Sequence, residues 1–183
     1  EQTSASVFEA KLIDDKDSER VQIIDLDGDG VQDILVTLTD RQPSVRWYKN
    51  NGDLEFSGTA IGTGTRGEAY AGDIDADGSP DIVTATTQSE VVVLQRWMND
   101  GLGSFTATTL SADSGVTSIG IGDVSGNGYP DIITGGSNGV QRWGSSDGYS
   151  FSRLDIDDGN VGQEHLVVAD VNKDGKLDVV AAE

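Results

Sequence analysis

The sequence contains no cysteine and only one histidine among its 183 residues. The lack of cysteine excludes disulfide bonds, thiolate metal sites and cysteine nucleophiles, and one histidine cannot form a multi-histidine zinc site. A Ser-His-Asp triad would have to use that single residue, His165, for which a solvated or structural role is the simpler interpretation. No spacing singles out a glycosidase-type carboxylate pair. We therefore do not expect an enzyme.

Basic residues and long apolar runs are scarce as well. The chain has 12 basic residues against 32 acidic ones, which gives a net charge of -20. Such a surface repels nucleic acid and anionic membranes, so no nucleic-acid partner is expected. No run approaches 18 apolar residues, so we expect no membrane insertion. The hydrophobic content of 36% is sufficient for the core of one domain, residues 1–183.

An acidic nine-residue motif is repeated along the chain. "DLDGDGVQD" at 25–33 returns as "DIDADGSPD" at 73–81, "DVSGNGYPD" at 123–131 and "DVNKDGKLD" at 170–178. The three tryptophans, each after an arginine, and the four phenylalanines recur with a similar spacing. A period of this size indicates a repeat architecture in which each unit packs against its neighbours.

Each repeat contains four short β-prone runs separated by Gly, Asn, Asp and Ser, without helical periodicity. This pattern predicts an all-β fold, a β-propeller of four-stranded antiparallel blades with about four repeats visible. The predicted units are a last strand at 5–14, blades at about 19–62, 67–111 and 116–156, and a partial blade at 163–183.

The two ends of the chain predict incomplete halves of one blade. The first residues resemble a last strand and the final residues resemble only first and second strands, so a third strand is missing. Two explanations follow. The chain is part of a larger ring of seven or eight blades, or a neighbouring chain completes the split blade.

The acidic motifs supply the oxygen donors that Ca²⁺ requires, because calcium takes six to eight ligands from carboxylates, amides, backbone carbonyls and water. Positions 1, 3, 5 and 9 of the motif carry such side chains, position 7 offers a carbonyl, and glycine at position 6 permits a sharp reversal. We predict up to four calcium ions, one in each loop. The predicted ligands are Asp25, Asp27, Asp29, Val31 and Asp33; Asp73, Asp75, Asp77, Ser79 and Asp81; Asp123, Ser125, Asn127, Tyr129 and Asp131; and Asp170, Asn172, Asp174, Lys176 and Asp178.

These loops differ from EF-hands, which need a bidentate Glu at position 12 on an exiting helix. Position 12 is Val, Thr, Thr or Ala here, and each motif continues into a β-prone run.

The number of carboxylates falls from four in the first two loops to three in the fourth and two in the third. We therefore expect the first two loops to bind calcium most tightly and the third most weakly, in a structural rather than a functional role.

The D-x-D-x-D-G-x-x-D pattern between two strands, at a period near 48 with downstream Trp, Gly and Phe, resembles the FG-GAP or VCBS repeats of integrin α-subunit-type propellers. The stretches "IGIGDV" and "ITGGSN" are more similar to the VCBS branch. The resemblance implies a multi-bladed propeller with Ca²⁺ in loops between first and second strands on one face, and ligands on the opposite face.

The sequence thus predicts a calcium-stabilised extracellular or cell-surface module for adhesion or carbohydrate binding. Its protein or glycan ligand is expected on the connections between blades, "GTGTRGEAY", "SADSGVTS" and "DIDDGNVGQEH", because they differ while the calcium loops agree. Alternatives are the non-catalytic propeller of a secreted polysaccharide-acting enzyme, or a structural subunit that self-associates. The Arg-Trp pairs could stack on sugars, although packing between blades is the simpler role.

Overall fold

The computed structural model describes residues 10–39, 42–53, 55–112, 115–157 and 165–182. Within these residues the chain forms strands and turns without any helix, which confirms the all-β prediction. The described part accordingly contains no helix that is long and apolar enough to cross a membrane. The predicted strand at 5–14 lies partly outside the described residues, and its described part, 10–14, is not in a strand.

The strands form three four-stranded sheets and one two-stranded sheet, each antiparallel and each in chain order. The first sheet contains β1 (Ser18–Ile24), β2 (Asp33–Leu38), β3 (Val45–Asn50) and β4 (Phe56–Ala60). The second contains β5 (Thr65–Gly72), β6 (Asp81–Gln88), β7 (Val91–Asn99) and β8 (Phe105–Ser111). The third contains β9 (Val116–Gly122), β10 (Asp131–Gly136), β11 (Gly139–Ser145) and β12 (Phe151–Asp157). The last contains β13 (His165–Ala169) and β14 (Asp178–Ala182).

The sheets stack face to face through their first strands, because β1 contacts β5, β5 contacts β9 and β9 contacts β13. Four-stranded antiparallel meanders stacked in this way are the blades of a β-propeller, as the repeat predicted. The hydrophobic core therefore lies between sheets rather than inside one. At the first interface the buried side chains are Leu26, Leu35, Val45, Trp47, Ile61, Ala69, Ala71 and Ile82.

The tryptophans on the third strands belong to this core, but they do not share one register. Trp47 pairs with Leu35, two residues after the aspartate that ends the acidic loop, whereas Trp97 pairs with Ile82, only one residue after it. A shift of one residue turns a side chain to the opposite face of a sheet. Trp47 accordingly packs toward the second sheet, and Trp97 packs from the second sheet toward the first. The physical cause is the β2–β3 connection, which spans residues 39–44, whereas β6–β7 has a two-residue turn.

Candidate metal centres

The four acidic motifs all form loops between the first and second strands of their sheets, at the same end of the stack. The glycine at position 6 has a φ between 84° and 93° in every loop. L side chains rarely adopt this conformation, so glycine is the residue that allows the reversal. The position is occupied by Gly30, Gly78, Gly128 and Gly175.

The first aspartate of each motif holds that reversal in place. One carboxylate oxygen of Asp25 accepts a hydrogen bond from the Gly30 N–H at 2.8 Å, and Asp73 accepts one from the Gly78 N–H at 2.9 Å. The third and fourth loops repeat this bond at 2.8 and 2.9 Å. The position 5 side chain accepts a further bond from the N–H of position 7 in every loop. The chain's own hydrogen bonds therefore preorganise the donors, which lowers the conformational cost of binding an ion.

The aspartate at position 9 connects the loop to the rest of its sheet. Asp33 is fully buried, and its two oxygens accept N–H groups from Leu26 in the loop at 3.1 Å and from Asn50 on β3 at 2.8 Å. Asp81 makes the equivalent bonds to Ile74 and Asn99, at 3.0 and 2.8 Å. This residue therefore has a structural role in addition to any contact with a metal.

The third and fourth loops vary this arrangement. Buried Asp131 accepts from the N–H of Ser125 at 3.0 Å and forms an ion pair with Arg142 Nε, also at 3.0 Å. Asp178 accepts from the N–H of Val171 at 3.0 Å. An arginine beside Asp131 leaves less negative charge for a cation, so we still expect the third loop to bind calcium most weakly.

Carboxylate oxygens converge in the first two loops. Asp25, Asp27 and Asp29 offer oxygens that all lie within 4.8 Å of one another, and Asp73, Asp75 and Asp81 do the same. Two ligands on opposite sides of a calcium ion are about 5 Å apart, since each bond is roughly 2.3 to 2.6 Å. Both groups therefore fit Ca²⁺ in size and in donor chemistry. No comparable group of three acidic, cysteine or histidine side chains occurs elsewhere in the described residues.

The following sheet covers each of these two loops. The Asn99 side-chain amide donates to the Leu26 carbonyl at 2.7 Å, and a Cβ on Gly103 would lie 3.1 Å from that of Asp27. The β11–β12 turn packs in the same way on the second loop, where Gly148 lies against Asp75. The Asp75 carboxylate raises the pKa of the Tyr149 hydroxyl, first by its charge and then by a hydrogen bond. An ion in either loop would thus stabilise the contact between two sheets.

Lys49 distinguishes the first loop from the second. Its ammonium group donates to the Asp27 carboxylate and lies 3.2 Å from Asp29 Oδ2, so a positive side chain already stands among the predicted ligands. The pairing of β3 with β2 and of β7 with β6 places Met98 at the equivalent position of the second sheet. The sequence pattern of the loops does not reveal this competitor.

Replacing this competitor is expected to strengthen calcium binding. The Lys49→Met substitution should raise the affinity of the first loop about 5- to 30-fold, because it removes a repulsion of roughly 1 to 2 kcal/mol between the ammonium group and the ion. Isothermal titration calorimetry measures this affinity in an Asp75→Asn background. That substitution weakens the second loop, so the first loop becomes the stronger calcium site. Lys16→Met, before β1, is the control and should leave the affinity unchanged. An unchanged affinity in Lys49→Met would show that the lysine does not compete.

Burial raises the pKa of Asp81 to about 6 from an ordinary value of 3.8, with repulsion from Asp75 and Asp77 adding to the shift and the two backbone N–H groups opposing it. The folded chain therefore holds this proton more tightly than the unfolded chain does. Without metal, this carboxyl makes the free energy of unfolding fall as the pH rises from about 4 to about 6.

Calcium binding to the second loop should consequently expel that proton. At pH 5 we expect the release of most of one proton per ion, and at pH 7.5 almost none, because Asp81 is then already ionised. Calorimetry of an Asp27→Asn variant, in buffers with different ionisation enthalpies, measures the release. Equal release at the two pH values would contradict the assignment to Asp81.

The single histidine and two of the tryptophans lie at positions that need no binding or catalytic role. His165 is exposed at the beginning of β13. Trp97 Nε1 donates to Thr84 at 3.0 Å and Trp143 Nε1 donates to Thr134 at 3.2 Å, within their own sheets. These indoles therefore serve the packing of the blades.

Comparisons with known proteins agree with the repeat and the fold. The model of the FG-GAP-like repeat matches residues 25–84 and 73–134, which include the first three acidic loops. A solved structure of an Agrocybe aegerita lectin that recognises non-reducing terminal N-acetylglucosamine is similar with a TM-score of 0.59 and 21% identity, over 87% of this chain and 45% of the lectin chain. No curated protein matches the sequence.

The Photorhabdus luminescens Tc holotoxin pore contains a similar fold. The match with this chain has a TM-score of 0.54 and 21% identity, over 88% of this chain and 8% of the toxin chain. The chain therefore spans less than half of the lectin and a small part of the toxin. The repeated acidic loops, the stacked four-stranded sheets and the two family matches lead to one conclusion: the chain belongs to the FG-GAP-like repeat family.

Proposed function

We propose that this chain is a calcium-stabilised, non-catalytic binding module that recognises a glycan at the end of the sheets opposite the metal loops. The observation that carries the proposal is a groove of about 250 Å³ at that end, between the first strands of the first three sheets. Its polar lining residues are Glu19, Arg66, Glu68, Thr87 and Thr117. Carboxylates, hydroxyls and a guanidinium group are the donors and acceptors that sugar hydroxyls require.

Glu68 is a half-buried carboxylate in the lining of this groove. Arg20 NH1 lies 3.4 Å from Glu68 Oε2, and the Arg20 guanidinium also stands over the Tyr70 ring. Burial raises the pKa of Glu68 and the Arg20 charge opposes the shift. A partly desolvated carboxylate that is fixed by an arginine can accept hydrogen bonds from a sugar with little loss of side-chain entropy.

The segments beside the groove vary between repeats, and backbone hydrogen bonds hold two of their described residues. Ser44 N–H donates to the Gly64 carbonyl at 2.9 Å, and Ser137 N–H donates to the Gly115 carbonyl at 3.0 Å. Each bond connects the link between a second and a third strand to the residue that precedes a first strand. Variable segments on a rigid scaffold favour recognition. The third predicted connection, "DIDDGNVGQEH", lies largely outside the described residues.

An extracellular setting is part of this proposal. Calcium modules outside the cell commonly bind at about 10⁻⁴ to 10⁻³ M, where loops of two to four carboxylates function well. The 20 excess negative charges also favour solubility in a calcium-rich medium. Adhesion through a glycan is the role that these features support.

A glycan array tests the proposal, with terminal N-acetylglucosamine among the sugars because the similar lectin recognises it. We expect binding to a restricted set of glycans. In calorimetry with the best of them, Glu68→Gln should lower the affinity at least tenfold. Glu90→Gln, an exposed carboxylate in the β6–β7 turn at the same end, is the control and should have no effect. An array without any bound glycan, or equal losses in both variants, would overturn the proposal.

A further inference from the structure

One buried side chain contacts both of the first two acidic loops. Asn99, the last residue of β7, is 7% exposed. Its amide nitrogen donates to the Leu26 carbonyl of the first loop at 2.7 Å and to the Pro80 carbonyl of the second loop at 2.8 Å. Its amide oxygen accepts the N–H groups of Gly101 and Gly103, at 3.1 and 3.3 Å. Both polar atoms of the side chain therefore have partners, which fix its orientation.

The backbone of Asn99 is bonded to a predicted calcium ligand of the second loop. Its N–H donates to Asp81 Oδ1 at 2.8 Å, and Asp81 is buried. The Asp81 carboxylate is one of the three that converge in this loop. Calcium bound in the second loop would restrain that carboxylate, and with it the end of β7.

The side chain of Asn99 holds the first loop between two predicted ligands, Asp25 and Asp27. Leu26 is fully buried between them, and its N–H donates to Asp33 of its own sheet at 3.1 Å. Its carbonyl, which belongs to the peptide group that leads into Asp27, accepts from Asn99 of the next sheet. The direction in which Asp27 points therefore depends on Asn99.

We propose that Asn99 couples the first two calcium sites, so that calcium in either loop raises the affinity of the other. Binding in one loop restricts the motion of Asn99, and the other loop then loses less conformational entropy when it binds. Thermodynamic linkage requires the same factor in both directions. This inference rests on the proposed calcium binding, but it does not depend on the glycan.

The third sheet carries a different residue at the equivalent position. Ser145 and Asn99 each stand two residues after the tryptophan of their third strand, and both tryptophans pair in the same register. The Ser145 hydroxyl forms hydrogen bonds with Asp147 and Gly148 in its own turn. Among the described residues it forms none with the second loop. The fold thus accepts serine at this position without a link to the preceding loop, so Asn99→Ser is the variant that tests the coupling.

A calcium titration of the full chain, followed by ¹⁵N NMR, reads the two loops separately. The Gly30 N–H reports on the first loop and the Gly78 N–H on the second, because each donates to the first aspartate of its own loop. Asp75→Asn removes a carboxylate of the second loop, and it should raise the Kd of the first loop at least about fivefold. Asp27→Asn should raise the Kd of the second loop by the same factor.

The same comparison in an Asn99→Ser background isolates the link. There, Asp75→Asn should change the Kd of the first loop by less than about twofold. Repulsion between two bound ions is present in both backgrounds, so it cancels from the difference. Asn50→Ser is the matched control, because the Asn50 N–H donates to Asp33 as that of Asn99 donates to Asp81, but its side chain bonds within the first sheet. The coupling should persist in this control. The spectra also show whether each variant is folded.

Either of two results would overturn the coupling alone. The first is a Kd of the first loop that Asp75→Asn leaves unchanged in the original chain, and the second is a coupling that Asn99→Ser leaves intact. Glycine signals that do not respond to calcium at all would contradict calcium binding itself, and this inference with it.

Discussion

Chelation of calcium with EDTA is expected to lower the melting temperature by about 10 to 20 °C. A loop held at 100 times its Kd adds roughly 2.7 kcal/mol to the free energy of unfolding, so the first two loops together add about 5.4 kcal/mol. For a domain of this length, 1 kcal/mol changes the melting temperature by about 2 to 4 °C. Both loops also lie under a turn of the following sheet, so their ions would stabilise the stack of sheets as well as the loops.

Differential scanning calorimetry with 10 mM CaCl₂, which is 100 times a Kd of about 10⁻⁴ M, or with 10 mM EDTA measures this shift. The doubly substituted variant Asp27→Asn, Asp75→Asn is the control, because each substitution removes a carboxylate from one of the two convergent groups. Its melting temperature should respond only weakly to EDTA. A melting temperature of the original chain that EDTA leaves unchanged would refute a structural role for calcium.

The Asp33→Ala substitution should destabilise the chain by about 2 to 6 kcal/mol even in EDTA. Asp33 is fully buried and accepts the N–H groups of Leu26 and Asn50, so its removal leaves one buried and one partly buried donor without partners, at roughly 1 to 3 kcal/mol each. Asp29→Ala removes a carboxylate of the same loop that is partly exposed, and it should cost at most about 1 kcal/mol in EDTA.

Urea unfolding with and without calcium separates the two aspartates. Asp33→Ala should be destabilised in both conditions, whereas Asp29→Ala should lose stability mainly by losing the contribution of calcium. Asp33→Asn, which retains one acceptor oxygen, should fall between the original chain and Asp33→Ala. If Asp33→Ala cost no more than Asp29→Ala in EDTA, the structural role of the ninth position would be wrong.

The fold was accessible from the sequence because the determinants of a blade are local. Four short β-prone runs between turn residues, repeated at nearly equal spacing, specify antiparallel sheets that bury their faces only against one another. The position of the acidic loops between first and second strands followed from the β-prone residues on both sides of each motif. Glycine at position 6 predicted the reversal because few other residues adopt its φ.

The parts that the sequence did not reveal depend on contacts between strands or between sheets. Trp47 follows an arginine as the other tryptophans do, yet the longer β2–β3 connection shifts its register and turns it to the opposite face. Lys49 enters the first loop from β3, and Asn99 reaches the same loop from the second sheet. Local spacing carries no information on such contacts. The recurring turn sequences "NNGD", "NDGLG" and "SDGYS" were the available signal that the third and fourth strands also approach the loops.

Calcium binding by the acidic loops underlies both the stability and the function proposed for this chain. Equilibrium dialysis against 1 mM CaCl₂, with calcium counted by atomic emission, tests this binding directly. We expect at least two ions for each chain, one fewer in Asp27→Asn and one fewer in Asp75→Asn, because these aspartates belong to the two convergent carboxylate groups. A chain that retains no calcium, or two variants that retain as much as the original chain, would contradict it.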